Sequence, residues 1–334
     1  MPKFTAFSPL LRRILGKTYK NANCNKIDIY NFQPVKHDLP IVSGGYAMNV
    51  LTTKDRANIL SLLVEGMAIN AVSRATGVSK NTILKLLVHV GTACVAYQDR
   101  VMRNLNCKKV QCDEIWAFVG MKQKNVPEEL KGTLAYGDVY TWLGIDADTK
   151  LIPCWHVGTR GAESAYDFIH DVASRMANRI QLTTDGHKAY VMAVEDAFGA
   201  DVDFAQLIKI YGTLGQTKEE HRRYSPADCT GIRKERVTGN PDMRHVSTSY
   251  IERANLTMRM HMRRFTRLTN AFSKKLENHM HAVSLHFMFY NFCKIHLSLR
   301  VTPAMEAGIA EHVWSMEEVV MMADTQDVTA NKSN

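Results

Sequence analysis

Residues 108–120 read KKVQCDEIWAFVG, and this stretch decides the fold. Val110, Ile115, Trp116, Phe118 and Val119 give it the β-branched and aromatic density of a strand. Asp113 sits in its middle, where a carboxylate is costly unless a cation or hydrogen bonds offset the loss of water. Residues 137–158, GDVYTWLGIDADTKLIPCWHVG, continue in the same character. They predict two further strands, with Asp146-Ala147-Asp148-Thr149 supplying the turn between them. The three strands are consecutive and antiparallel on this reading. Downstream, Ala165, Phe168, Ile169 and Val172 recur at helical spacing and predict a helix over 162–177. Ile180 to Thr184 reads as a short buried strand that runs into Asp185-Gly186. A helix over 187–198 and a strand over 203–210 complete the series.

The order β-β-β-α-β-α-β is that of an RNase H-like fold, α+β in class, with a mixed five-stranded sheet and flanking helices. In such a fold an acid in the first strand and one at the end of the fourth meet where those strands lie side by side. Here they are Asp113 and Asp185, with Gly186 letting the backbone turn away. A third acid, Glu252, opens the helix STSYIERANLTMRMHMRRFTRL at 247–268. Three hard oxygen donors suit Mg²⁺ or Mn²⁺. Two such ions would activate a water or a 3′-hydroxyl and stabilise the leaving oxygen of an in-line phosphodiester displacement. Each acid alone reads equally well as a turn or cap carboxylate, so the signal lies in the joint placement.

Between Arg253 and Lys275 stand seven basic residues, Arg253, Arg259, Arg263, Arg264, Arg267, Lys274 and Lys275, and no acid. At 100° per residue, Arg259 and Arg263 fall within about 20° of Glu252 on the helical wheel. One helix over this span would carry a basic face beside the metal ligand, suited to the phosphates that flank a scissile bond. An exposed charged helix is the plainer reading, but solvated helices usually mix signs.

Upstream, residues 52–91 predict three amphipathic helices in close succession. Gly66 ends the first, Gly77 turns the chain after the second, and Ser79 caps the third. The turn Gly77-Val78-Ser79 between short helices is a helix-turn-helix signal. It would present Lys80, Asn81, Thr82 and Lys85 to a DNA major groove. A three-helix bundle with a solvated polar face is the alternative. A polar connecting helix is expected from Cys94 to Asn106. The head, 1–47, is irregular and carries a net +5. It reads either as a basic arm along DNA or as an extension upstream of a start at Met48. The resulting division is 1–47 head, 48–106 helix-turn-helix domain, 107–304 catalytic domain and 305–334 acidic tail of net −5.

The chain has 334 residues, is 46% hydrophobic and carries a formal net charge of +9, which excludes wholesale disorder and suggests a polyanionic partner. No apolar run is long enough to span a bilayer, so no membrane association is expected. Seven cysteines without a C-x-x-C pair point to free thiols in a reducing compartment, and no zinc is predicted. His279, His281, His286 and His296 are read as packing or solvent residues. Trp116, Trp142 and Trp155 are read as sheet packing. No phosphate-binding glycine loop occurs.

VQCDEIWAFVG at 110–120, LTTDGHKAY at 182–190, STSYIERANLTMRMHMRRFTRLTNAFSKK at 247–275 and YNFCKIHLSLRVTPAMEAGI at 290–309 together resemble the DDE transposases of the insertion sequence 1 type, relatives of retroviral integrases. The resemblance covers nearly all of 48–308. It implies that Asp113, Asp185 and Glu252 are the catalytic, metal-holding acids, with Asn255 and Arg259 supporting them on the catalytic helix. It implies Mg²⁺-dependent hydrolysis at the ends of a mobile element, then attack of the freed 3′-hydroxyl on target DNA, without a covalent protein intermediate. Double-stranded DNA with terminal inverted repeats, target DNA and a homodimer or higher assembly are the implied partners, in the nucleoid of a prokaryotic cytoplasm. The family's N-terminal zinc ribbon has no counterpart here, since the head holds only Cys24. Two other readings stay open: an RNase H-fold nuclease without strand transfer, and a helix-turn-helix regulator with inert carboxylates.

Overall fold

The computed structural model describes residues 51–211, 229–266 and 269–332. The head, Met48 and Arg267 lie outside the described residues. The first helices form where the sequence supplies ends for them. In α1 (Thr53–Val64) the Thr52 hydroxyl accepts from the Asp55 amide. α2 (Ile69–Thr76) closes on Gly77, whose φ of 72° is one that a side chain disfavours. α3 (Lys80–Val101) starts on Ser79, whose hydroxyl accepts from the Thr82 amide.

α3 runs for 22 residues, so the connecting helix expected from Cys94 is its second half, not a separate element. Its midpoint, Gly91, marks a close helix crossing. A Cβ there would stand 2.6 Å from the Cβ of His281, and Ser284 Oγ donates to the Gly91 carbonyl at 2.9 Å. That crossing fastens the helical N-terminal region to the sheet domain.

The sheet comprises β1 (Lys109–Val119), β2 (Gly137–Asp146), β3 (Cys154–Gly158), β4 (Ile180–Asp185), β5 (Val202–Tyr211) and β6 (Cys229–Thr238). Their spatial order is β3-β2-β1-β4-β5-β6. β1, β2 and β3 pair antiparallel, and Asp146 accepts from the Thr149 amide to close the turn after β2. β1, β4 and β5 pair parallel, with α4 (Ala162–Arg175) and α5 (Ala189–Phe198) as the crossovers. This is the mixed sheet with flanking helices that an RNase H-like core requires. The sheet has six strands, not the five expected. β6 pairs antiparallel with β5 and is exposed along most of its length. An edge strand with little to bury shows no apolar alternation, so CTGIRKERVT at 229–238 carries no strand signal in the sequence.

Helices pack on both sheet faces. Phe168, Ile169, Val172 and Tyr190 pack with Val110, Cys112 and Trp142 on one side. On the other, Ile251 and Met258 of α6 (Ser249–His261) and Val283 and Phe287 of α7 (Leu276–Met288) pack with Ile115, Ala117, Leu143 and Ile145. The single basic helix expected over 253–275 therefore ends at His261, and the later basic residues lie on the connection between α6 and α7. Met262 leaves helical geometry at φ −135° and ψ 101°, Phe265 is buried, and the chain then runs beside β1, with the Gly120 amide donating to the Ser273 carbonyl. The acidic tail, 305–334, contains a packed helix. This is α8 (Met316–Lys332), which buries Val319, Val320 and Ala323 and ties back to α1 through Arg56–Asp324 at 2.8 Å. Among the described residues, no helix is long and apolar enough to cross a membrane.

Candidate active site

The pairing of β1 with β4 ends at Cys112↔Thr184. Asp113 and Glu114 follow on β1 and Asp185 follows on β4, so all three carboxylates gather where the two parallel strands part. One oxygen from each lies within 4.8 Å of the others, and this is the only group of three or more potential metal ligands so close together among the described residues. Like charges at such separations oppose full ionisation. Burial, then the charges of Glu114 and Asp185, push the Asp113 carboxyl up to about 7. Burial and then Asp185 raise Glu114 as well.

Each acid is held by named donors. Asn255, on α6, donates from Nδ2 to Asp113 Oδ2 at 2.8 Å, and the Glu114 amide donates to Asp113 Oδ1. Glu114, only 2% exposed, takes Arg160 Nε at 2.7 Å and the Tyr190 hydroxyl at 3.2 Å. Asp185 accepts from the His187 amide at 3.0 Å and faces Arg160 Nη2 at 3.9 Å. Gln206 of β5 donates to the Asp185 carbonyl at 2.8 Å, which fixes the turn that delivers this carboxylate. A Cβ at Gly186 would come to 3.1 Å from Ile208 Cγ1, a tight approach.

The arrangement joins Asp113 and Asp185 as expected from the sequence, but the third member of the tight group is Glu114. Glu252 opens α6 at the rim, 42% exposed, with Lys209 Nζ at 2.6 Å and the Thr248 hydroxyl at 2.5 Å. It lies near enough for its charge to bear on Asp113, and outside the tight group. Glu114 was missed because neighbours on a strand point to opposite faces, which suggests that only one of two adjacent acids can serve a site. Beyond the end of β4 no strand separates the two faces. The available signal was the Asp-Glu pair itself, two adjacent acids in an apolar strand.

The residues fit a divalent cation. The donor set is carboxylate oxygen, which suits a hard ion, the Asp113 and Glu114 carboxyls are pushed up, and Asn255 Oδ1 is buried beside Asp113 without a hydrogen-bond partner.

The basic residues named from the sequence disperse. Lys80, Asn81, Thr82 and Lys85 are exposed at the start of α3, and Arg253 and Arg259 are exposed on α6. Arg263, Lys274 and Lys275 are exposed after the helix ends. Arg264 turns inward, donating to Ser273 Oγ at 2.7 Å, and burial lowers its pKa to about 10. The residue as a whole remains partly exposed. His279, His281 and His286 are buried on α7.

No family model and no curated protein sequence matches the chain. Among solved structures, a piggyBac transposase synaptic complex with hairpin DNA is similar at 11% identity and TM-score 0.38, over 84% of this chain and 73% of that one. A Mos1 transposase paired-end complex with the left transposon end is similar at 14% identity and TM-score 0.19, over 49% of this chain and 61% of that one. Likenesses this loose bring no function across; the chemistry rests on the acids at the ends of β1 and β4.

Proposed function

We propose that this chain is a DNA transposase of the insertion sequence 1 type, cutting and joining phosphodiesters with divalent metal at the β1–β4 edge. The observation that supports the reading is the convergence of Asp113, Glu114 and Asp185 at the open end of two parallel strands. Asp113, Asp185 and Glu114 would hold Mg²⁺ or Mn²⁺, with Glu252 at the rim able to complete a second position. A cation there supplies Lewis-acid activation of the attacking oxygen and charge stabilisation at the phosphate. Asn255 orients the Asp113 carboxylate, as outer-layer donors do for metal ligands. Arg160, bridging Glu114 and Asp185, keeps the acids in place and sits where it can also meet a phosphate.

Arg253, Arg259, Arg263, Lys274 and Lys275 would neutralise DNA phosphates around the site, making binding salt-dependent. Lys80, Asn81, Thr82 and Lys85 at the start of α3 would read element ends as a helix-turn-helix. Holding two ends at once calls for a dimer or larger assembly.

The test is incubation of the chain with Mg²⁺ and DNA carrying the repeats that flank its own coding sequence. Wild-type protein is expected to cut at the repeats and join the freed 3′-hydroxyl to target, whereas Asp185→Ala binds the DNA and leaves it intact. Unchanged cleavage by Asp185→Ala overturns the proposal, and cleavage without joining reduces it to a nuclease.

A further inference from the structure

A strip of aromatic rings leaves the acid cluster along the sheet and ends in a basic cleft. Strand alternation places Glu114, Trp116 and Phe118 on one face of β1. Opposite them on β2 stand Trp142, Tyr140 and Asp138. At Trp142 this face is closed by His187, stacked at 5.8 Å, and by Tyr190, edge-on at 5.3 Å. Further along, Trp116 and Tyr140 are partly exposed. The Arg160 guanidinium lies 5.7 Å over the Tyr140 ring while it holds Glu114. Ring centroids then step from Trp116 to Phe118 at 5.9 Å and from Phe118 to Phe272 at 4.8 Å.

The strip opens into a surface cleft of about 600 Å³ lined by Phe118, Phe272, Met121, Lys122, Lys124 and Asn270, among others, with no acid in its lining. Lys122 and Lys124 are exposed. Neither has an ion-pair partner among the described residues. The strip itself carries one carboxylate beyond Glu114, that of Asp138 opposite Phe118.

We propose that this strip binds an unpaired DNA strand, stacking its bases on Trp116, Tyr140 and Phe272 and placing its backbone against Lys122 and Lys124. Aromatic rings under a basic rim are the general means of gripping a single strand, because every base offers a π-face and every link a negative charge. A duplex hides those base faces in its own stack and gains little from the rings. From Glu114 to Phe118 the strip runs about 13 Å, a length of a few nucleotides. Its inner end touches the acids, so a strand lying on it brings a phosphodiester to them. Choosing DNA rests on the proposed function; the stacking itself does not.

The test is fluorescence anisotropy of the full-length chain with a labelled oligothymidylate and, separately, a labelled duplex, in EDTA so that no cleavage intervenes. Trp116→Ala is expected to weaken single-strand binding about tenfold and to leave duplex binding within about twofold. Trp116→Phe, which keeps a stacking ring and the packing, should remain close to wild type. Lys122→Gln with Lys124→Gln, both exposed, should weaken single-strand binding and flatten its salt dependence. The proposal is overturned if Trp116→Ala and the double lysine variant bind the single strand as wild type does, or if they lose duplex and single strand alike. Asp185→Ala should keep full single-strand affinity, so an inactive acid cluster and an inert strip are told apart.

Discussion

Two parts of this molecule gather residues that bind metals, and only one is arranged to do so. At the β1–β4 edge, three carboxylates come within 4.8 Å of one another, each held by hydrogen bonds and open to solvent on the Asp185 side. On α7, His279, His281 and His286 are all buried, and each keeps one ring nitrogen without a hydrogen-bond partner. The orphaned nitrogens do not converge, since no group of three ligands forms around them among the described residues. Burial lowers their pKa values to about 3, 4 and 3, so they act as neutral, space-filling rings against Gly91, Phe265 and Phe287. The two regions share ligand count, three each, but not ligand type, which is carboxylate oxygen at the edge and imidazole nitrogen on α7. Convergence, and a route for the ion, separate them.

The contrast breaks first at the acids. Asp113→Asn should lower metal-dependent DNA cleavage by about 10³-fold or more, the scale of losing a charge-stabilising group, with folding kept. A variant that still cleaves would remove the edge from consideration. His286→Ala should do the reverse, costing roughly 2–4 kcal/mol of stability through the cavity it leaves while metal affinity stays unchanged. Thermal unfolding and metal titration of the same preparation check both halves.

Asn255→Ala sharpens the picture of the edge, because it removes a donor to Asp113 without touching a proposed ligand. Metal affinity should fall about 10- to 100-fold, read by calorimetric titration, and a change under twofold would make Asn255 mere packing.

The smallest effect is in pH. The histidines, depressed below 6.5 by burial, contribute stability that is present above about 6.5 and lost as pH falls toward their folded values. Asp113 runs the opposite way. Its carboxyl is raised from 3.8 to about 7, so its contribution is full below 3.8 and lost as pH rises through 7. Acidification of the metal-free protein from pH 7 to 5 should therefore lower Tm more steeply in Asp113→Asn than in wild type, and less steeply in His286→Gln. Parallel curves for all three would show that neither group carries a shifted pKa.

How far the sequence reveals these regions depends on what each residue buries. β1 to β5 and both crossover helices were legible because their apolar spacing faces a core. Asp113 and Asp185 were legible because strand and turn context set them apart from other acids. β6 was not, since an exposed edge leaves no periodic mark. The break in the basic stretch at Met262 was hidden too, as no proline or glycine stands there; Phe265 enters the core and Ser273 reaches β1, both long-range events. Val319, Val320 and Ala323 carried a helical signal that the acids around them obscured. Glu114 was hidden by the alternation rule that holds inside a sheet and lapses where a neighbouring strand ends.

Mn²⁺ binding followed by electron paramagnetic resonance, in wild type, Asp185→Asn, Glu114→Gln and Glu252→Gln, tests most directly that the β1–β4 edge is a metal centre. Wild type is expected to bind the ion, Asp185→Asn to lose it, and Glu114→Gln to be weakened more than Glu252→Gln. Undiminished binding by Asp185→Asn and Glu114→Gln would contradict the account.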